Sequence, residues 1–236
     1  MKVLKNWDNK TWLSSNPYIS SFNSFLLKKK KLNKSSRILD IGCGRGKIFG
    51  SLSRKLKLTN KPIGIDPVIH NDVDKSIDFI NEDVFKFFKK NQNKFDLIMI
   101  KQTLHFFNKD KRSKVIKICK NNLKNNGVLL IFSLITLKNE IPCFKLMKQK
   151  INIGLKRDSR MLQSVCKLLK DHRIDKFKFD VSITRNKYIK MLKQKYISCL
   201  VNLTKNQINN GIKEFEETYP NKIIFKDILI CIKYKH

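Results

Sequence analysis

Asp40 is followed by three glycines, Gly42, Gly44 and Gly46, in the stretch RILDIGCGRGK at residues 37–47. Two more acids stand where short apolar runs stop: Asp66 after Ile63-Gly64-Ile65, and Asp83 shortly after the run at 77–80. Carboxylates at strand ends can accept hydrogen bonds from amines and hydroxyls, and they attract cations. Glycines let a ligand lie close to the main chain. An apolar strand, a glycine-rich turn and a helix form the physical recipe for a nucleotide-binding loop. A plain tight turn is the alternative, and the later acids argue against it. A dinucleotide fingerprint would need its third glycine at position 47, which is Lys47. The pattern present is D-x-G-x-G-x-G.

That pattern resembles motif I of the class I S-adenosylmethionine-dependent methyltransferases. The resemblance covers residues 37–134. It implies that Asp40 lies near the cofactor's methionine amino group and that Gly42, Cys43, Gly44 and Gly46 approach its methionine and ribose. It also implies that Asp66, with Pro67 beside it, receives the ribose hydroxyls. Asp83 would contact the adenine amino group, with Val84 and Phe85 against the ring. Asp83 also has the residue type and position of a helix N-cap. The segment 95–107, FDLIMIKQTLHFF, resembles the family's fourth motif, and most of all its trans-aconitate and ubiquinone-pathway branch. This implies that Lys101 and Gln102 lie at the cofactor edge. His105 is a candidate catalytic base or substrate contact, or else a packed or capping histidine.

The elements that position these residues follow from hydrophobic periodicity. Strands are expected at 37–41, 63–65, 77–80, 95–100 and 128–134. Helices are expected at 48–58, 85–90 and 109–123, with a turn at 125–127. Near-continuous apolar strands alternating with helices indicate a parallel sheet covered on both faces. Further on, helices are expected at 141–153 and 158–169 around a break at Gly154. A strand follows at 177–183, then a helix at 185–201. Thr204 and Gln207 form a capping box for a helix ending at Pro220, and one strand or paired strands at 223–234 close the chain. The expected fold is therefore α/β: a Rossmann-like, mostly parallel seven-stranded sheet. The resemblance implies strand order 3-2-1-4-5-7-6 with an antiparallel last strand. The expected organisation is an N-terminal helical lid at 1–34, a cofactor-binding core at 35–183, a helical cap at 184–221 and a final core strand at 222–236.

The chain has 236 residues, enough for one domain with an added subdomain. It contains no alanine, and lysine, asparagine and isoleucine together make up about 40% of it. The net charge of +32 is spread along the chain, which points to compositional bias rather than a nucleic-acid module. Non-specific adhesion to polyanions is expected. The six cysteines form no C-x-x-C pair, and the simplest expectation is a reducing, cytoplasmic setting. Lys2, Lys5 and Asp8 interrupt any leader-like apolar start, and no apolar run reaches membrane-spanning length. The four histidines have no metal-ligand spacing.

The function expected is methyl transfer to an O or N atom of a small, carboxylate-bearing molecule. On the acceptor side the candidates are Trp7, Trp12, Tyr18, His105, Arg185 and Tyr188. Aromatic residues give an apolar wall with polar tips, and an arginine can grip a carboxylate through paired hydrogen bonds. Two alternatives stay open: an RNA or protein methyltransferase, and a catalytically silent scaffold of the same fold.

Overall fold

The computed structural model describes residue 9 and residues 11–236. Trp7 therefore lies outside the described residues. Seven strands form one sheet: β1 (Ile38–Ile41), β2 (Ile63–Ile65), β3 (Asp78–Ile80), β4 (Phe95–Lys101), β5 (Leu123–Leu134), β6 (His172–Thr184) and β7 (Lys222–Lys235). Their spatial order is β3-β2-β1-β4-β5-β7-β6. The pairs among β1 to β5 are parallel, while β7 runs antiparallel to both β5 and β6. This is the expected topology. The chain builds leftward from β1 and then returns to place β4 on its other side, which leaves a crevice at the carboxyl ends of β1 and β4.

Among the described residues seven α-helices accompany the sheet: α1 (Asn16–Lys29), α2 (Lys47–Leu56), α3 (Val84–Lys90), α4 (Lys109–Asn121), α5 (Lys145–Leu168), α6 (Arg185–Lys193) and α7 (Lys205–Thr218). Strand alternation divides the core in two. Ile38, Leu97, Met99, Leu130 and Phe132 face the side holding Phe22 of α1 and Phe49 of α2. Leu39, Ile98, Ile100, Leu129 and Ile131 face the side holding Val115 of α4 and Val165 of α5.

Several local expectations are corrected. Gly154 does not break a helix: α5 runs continuously through it. A mid-helix glycine costs about 1 kcal/mol relative to alanine. The burial of Met147, Ile151, Leu155, Met161 and Leu162 along this helix outweighs that cost. Residues 125–127 lie inside β5 rather than between elements. The pairing jumps from Phe95↔Leu123 to Leu97↔Val128, and Asn126 takes a φ of 62° in the bulge. The helix begun at Arg185 stops at Lys193, because Lys195 turns left-handed at φ 53° and its Nζ binds the carbonyls of Val201 and Leu203. The capping box of α7 forms as read, and the last element is one strand, not two.

One feature of the sheet shapes the site. Pairing of β5 with β7 stops at Leu134↔Leu229, while β6 and β7 stay paired onward to Thr184↔Lys222. The β6–β7 hairpin therefore projects past the carboxyl edge as a wall, and α6 and α7 pack at its far end.

Candidate active site

The glycine loop is held by the strand beside it. The Gly42 and Cys43 N–H groups donate to the Ile65 carbonyl at 2.8 and 3.2 Å, and the Gly44 N–H donates to Asp66 Oδ2 at 2.9 Å. Gly42 has a φ of 73°, and a Cβ there would overlap the Thr103 side chain that follows β4. Only glycine fits that conformation in that space. Asp66 is a double support, since its Oδ1 also accepts the Val68 N–H at 2.9 Å. Its own carbonyl accepts from Asn81 Nδ2 at 3.0 Å, which ties the ends of β2 and β3 together.

Asp40, near the end of β1, is 5% exposed, and its Oδ1 is buried without a hydrogen-bond partner. Burial drives its pKa up to about 7, with Lys101 pulling it down and Asp66 pushing it up. A buried carboxylate oxygen with no partner is costly, and a cationic or N–H-bearing ligand group would satisfy it. Asp83 caps α3, accepting the Phe85 and Lys86 N–H groups at 2.8 and 3.1 Å, both on Oδ1. Val84 is buried in the first turn of that helix. Pro67 follows Asp66 in the turn closed by Val68.

Lys101 ends β4 and shares the sheet face of Asp40. Its Nζ lies over the rings of Tyr18 and Phe22, at 5.7 and 5.6 Å from their centroids. Gln102 adopts a left-handed φ of 52°, and its N–H donates to the Phe132 carbonyl at 2.8 Å. The structure thus gathers Asp40, the glycine loop, Asp66 and Lys101 at one edge, with Asp83 beyond β3.

The acceptor-side candidates are placed differently. Trp12 is buried and its Nε1 donates to Asp227 Oδ2 at 2.9 Å. Tyr188 is fully buried, stacks between Trp12 and Phe215, and bonds through its hydroxyl to the Pro142 carbonyl and the Tyr196 hydroxyl. Arg185 Nη1 donates to the Glu216 and Tyr219 carbonyls at 2.8 and 2.9 Å, closing the C-terminus of α7. The His105 ring packs on Phe106, and burial lowers its pKa against the pull of Asp158, with Arg157 and Arg112 lowering it further. Its electrostatic neighbours are therefore on α4 and α5, not Asp40. Tyr18 is fully buried and its hydroxyl has no partner.

Asp227 escaped the sequence reading, although a signal was present. Ile223, Phe225, Asp227, Leu229 and Cys231 alternate along β7, so the one acid among them had to point inward. Thr103 and Asn81 carried no such mark. Among the described residues no cluster of His, Cys, Asp or Glu is grouped to hold a metal ion, and no helix is long and apolar enough to cross a membrane. A groove of about 420 Å³ between α5 and the outer strands, lined by Leu162, Cys166, Ile174 and Ile230 among others, lies apart from these acids.

The strand order, the glycine turn and the acids at successive strand ends define the class I S-adenosylmethionine-dependent methyltransferase fold. Residues 38–127 match the family described as "Methyltransferase domain", so this stretch joins the fold to a family match. A carboxy-S-adenosyl-L-methionine synthase of Helicobacter pylori is 31% identical over 111 residues, which is 44% of this chain and 45% of that protein. The chain thus spans under half the length of that curated relative. A plantazolicin methyltransferase solved with a monoazolic desmethylPZN analogue and SAH has a TM-score of 0.54 at 16% identity, over 98% of this chain and 88% of that one. A SAM-dependent methyltransferase from Archaeoglobus fulgidus has a TM-score of 0.52 at 17% identity, over 92% of each chain. At these identities the structural likeness is one of fold.

Proposed function

We propose that the chain is an S-adenosylmethionine-dependent methyltransferase acting on an O or N atom of a small molecule. The observation that carries this reading is the buried, unpartnered Asp40 Oδ1, set beside a glycine loop that Asp66 holds open. In this reading Asp40 receives the cofactor's ammonium, and the main chain at Gly42, Cys43, Gly44 and Gly46 accommodates its methionine and ribose. Asp66 and Pro67 border the ribose, Asp83 and Val84 border the adenine, and Lys101 and Gln102 close the methionine end. The two carboxylates already engaged with backbone N–H groups retain lone pairs for ligand hydroxyls and amines. When bound, the cofactor supplies an activated methyl group on sulfur. The protein's part is to align the acceptor in line with it and to exclude water.

The solved relative holding SAH supports the cofactor assignment. The narrower likeness to the trans-aconitate and ubiquinone-pathway branch rests on the segment 95–107 alone. Residues 184–221 serve as the roof of the acceptor side, and the high charge favours loose, salt-sensitive adhesion to polyanions. Calorimetry with S-adenosylhomocysteine tests the reading directly. Saturable binding that Asp40→Ala removes is expected, and a folded protein that binds none would refute it.

A further inference from the structure

The two outer strands bury only one of their faces well. Phe177, Val181 and Phe225 of β6 and β7 pack on the side of α1, where the rings of Tyr18 and Phe22 meet Phe177. The opposite face of β7 carries Ile224, Ile228, Ile230 and Ile232 at alternate positions, interrupted only by Lys226. A solvated sheet face is normally polar. Here Ile224 is 70% exposed, and Ile174 of β6, which pairs with Ile232, is 57% exposed. Single exposed apolar side chains need no explanation, but a row of them on one strand does.

This strip runs into the groove of about 420 Å³ described above. One wall is α5, whose Ser159, Leu162 and Cys166 share a helix face opposite Ile174, Ile230 and Ile232. On the other side is the sheet edge, where the exposed Lys176 and Lys178 pair in register with Ile230 and Ile228. Lys167 also lines the groove, and none of the lining residues is an acid. On this face of β6 the one acid, Asp180, pairs in register with Lys226.

We propose that this strip is the docking site for an acidic, amphipathic helix of a protein partner. The shape selects a helix. Ile224 to Ile232 spans about 27 Å, the length of a helix of about 18 residues. A concave floor between a helix and a strand takes the apolar stripe of another helix, whereas a flat bilayer cannot reach it. Laid there, the partner helix covers the outer strands as α4 and α5 cover the inner ones. The charge selects its sign. The apolar stripe meets the isoleucines, and flanking carboxylates meet Lys167 on one side and Lys176 and Lys178 on the other. A second copy of this chain fits poorly, since it brings another +32 and another pair of edge lysines to the same contact.

The test is fluorescence anisotropy with a labelled synthetic peptide of that length, built of leucine and glutamate in an amphipathic helical pattern. A peptide of the same composition in scrambled order, with no apolar stripe, and phosphatidylserine vesicles serve as controls. The patterned peptide should bind saturably, at least tenfold more tightly than the scrambled one, and less tightly as salt rises. Ile174→Asp should lower its affinity at least tenfold and Lys176→Glu severalfold. Both positions are exposed, so the melting temperature should hold. Equal binding of the two peptides would reduce the contact to polyanion adhesion and overturn the inference. So would binding untouched by Ile174→Asp, no binding at all, or vesicle binding that Ile174→Asp abolishes. A concentration-dependent dimer in sedimentation that Ile174→Asp dissolves would assign the face to a second copy and overturn it too.

Discussion

The two ends of the sheet are built on opposite plans. At one end β1, β2 and β3 are only three or four residues long, and an acid stands at or just past the end of each: Asp40, Asp66 and Asp83. At the other end β6 and β7 run for 13 and 14 residues and pass the carboxyl edge altogether. A short strand offers the cleft its terminus, so recognition there relies on backbone, turns and one carboxylate. A long strand instead presents a face of inward side chains, Asp227 among them. The first plan suits a ligand that is always the same. The second suits a partner that differs from enzyme to enzyme.

That contrast can be broken most severely at Gly42. Gly42→Ala adds overlap with Thr103 to a left-handed backbone, and it should lower stability by about 3 kcal/mol and abolish binding of S-adenosylhomocysteine. Thr103→Gly in the same chain should restore part of the loss. Urea unfolding and calorimetry read both effects, and a Gly42→Ala variant as stable as the parent would contradict the close approach of loop and β4.

Asp66→Ala should weaken S-adenosylhomocysteine binding by about 1.5–3 kcal/mol, because it removes both an expected ribose acceptor and the brace on Gly44. Arg185→Ala, at the wall end, should leave that affinity unchanged. Equal losses in the two variants would erase the division of labour.

Asp40→Asn sharpens the comparison through pH. The folded pKa of Asp40 is raised to about 7, so the folded ligand-free protein holds this proton after the unfolded chain has lost it. Stability from this group therefore declines as pH rises from about 4 to about 7 and is level above that. Relative to the parent, Asp40→Asn should gain stability across that window, show no gain below it, and bind S-adenosylhomocysteine less tightly at pH 8. Melting temperatures across the range would show the slope, and parallel curves would remove Asp40 as its source.

The smallest effect belongs to Gly154→Ala. A Cβ there meets open space in the middle of α5, so a gain of about 0.5–1 kcal/mol is expected by urea unfolding. A loss would show that this glycine is constrained after all, as Gly42 is.

The legibility of the sequence follows the same division. Asp40, Asp66 and Asp83 could be read because each sits beside its own strand, where local pattern and position coincide. The strand order was expected from the resemblance to the methyltransferase family rather than from local pattern, and the sheet has that order. Gly154 misled because local propensity was weighed without the long apolar stripe around it. Arg185 and Tyr188 drew notice as neighbours in sequence, but the partners that define them, the α7 carbonyls and Trp12, arrive from far along the chain. Trp12 and Asp227 are separated by 215 positions, and no local pattern joins an indole to a carboxylate across that span.

The overhanging hairpin also acts as a ruler. Past the Ile135 N–H, which donates to the Ile228 carbonyl at 3.0 Å, the two strands form ladder pairs only with each other, so their length can change with little effect on the five strands beneath. Each residue adds about 3.4 Å, and a change by one would turn every inward side chain outward. Depth can therefore shift only in paired steps of about 7 Å, roughly the width of one aromatic ring with its substituent. A lineage could lengthen or shorten this pair of strands, carrying α6 and α7 further out or closer in, while β1 to β5 stay as they are.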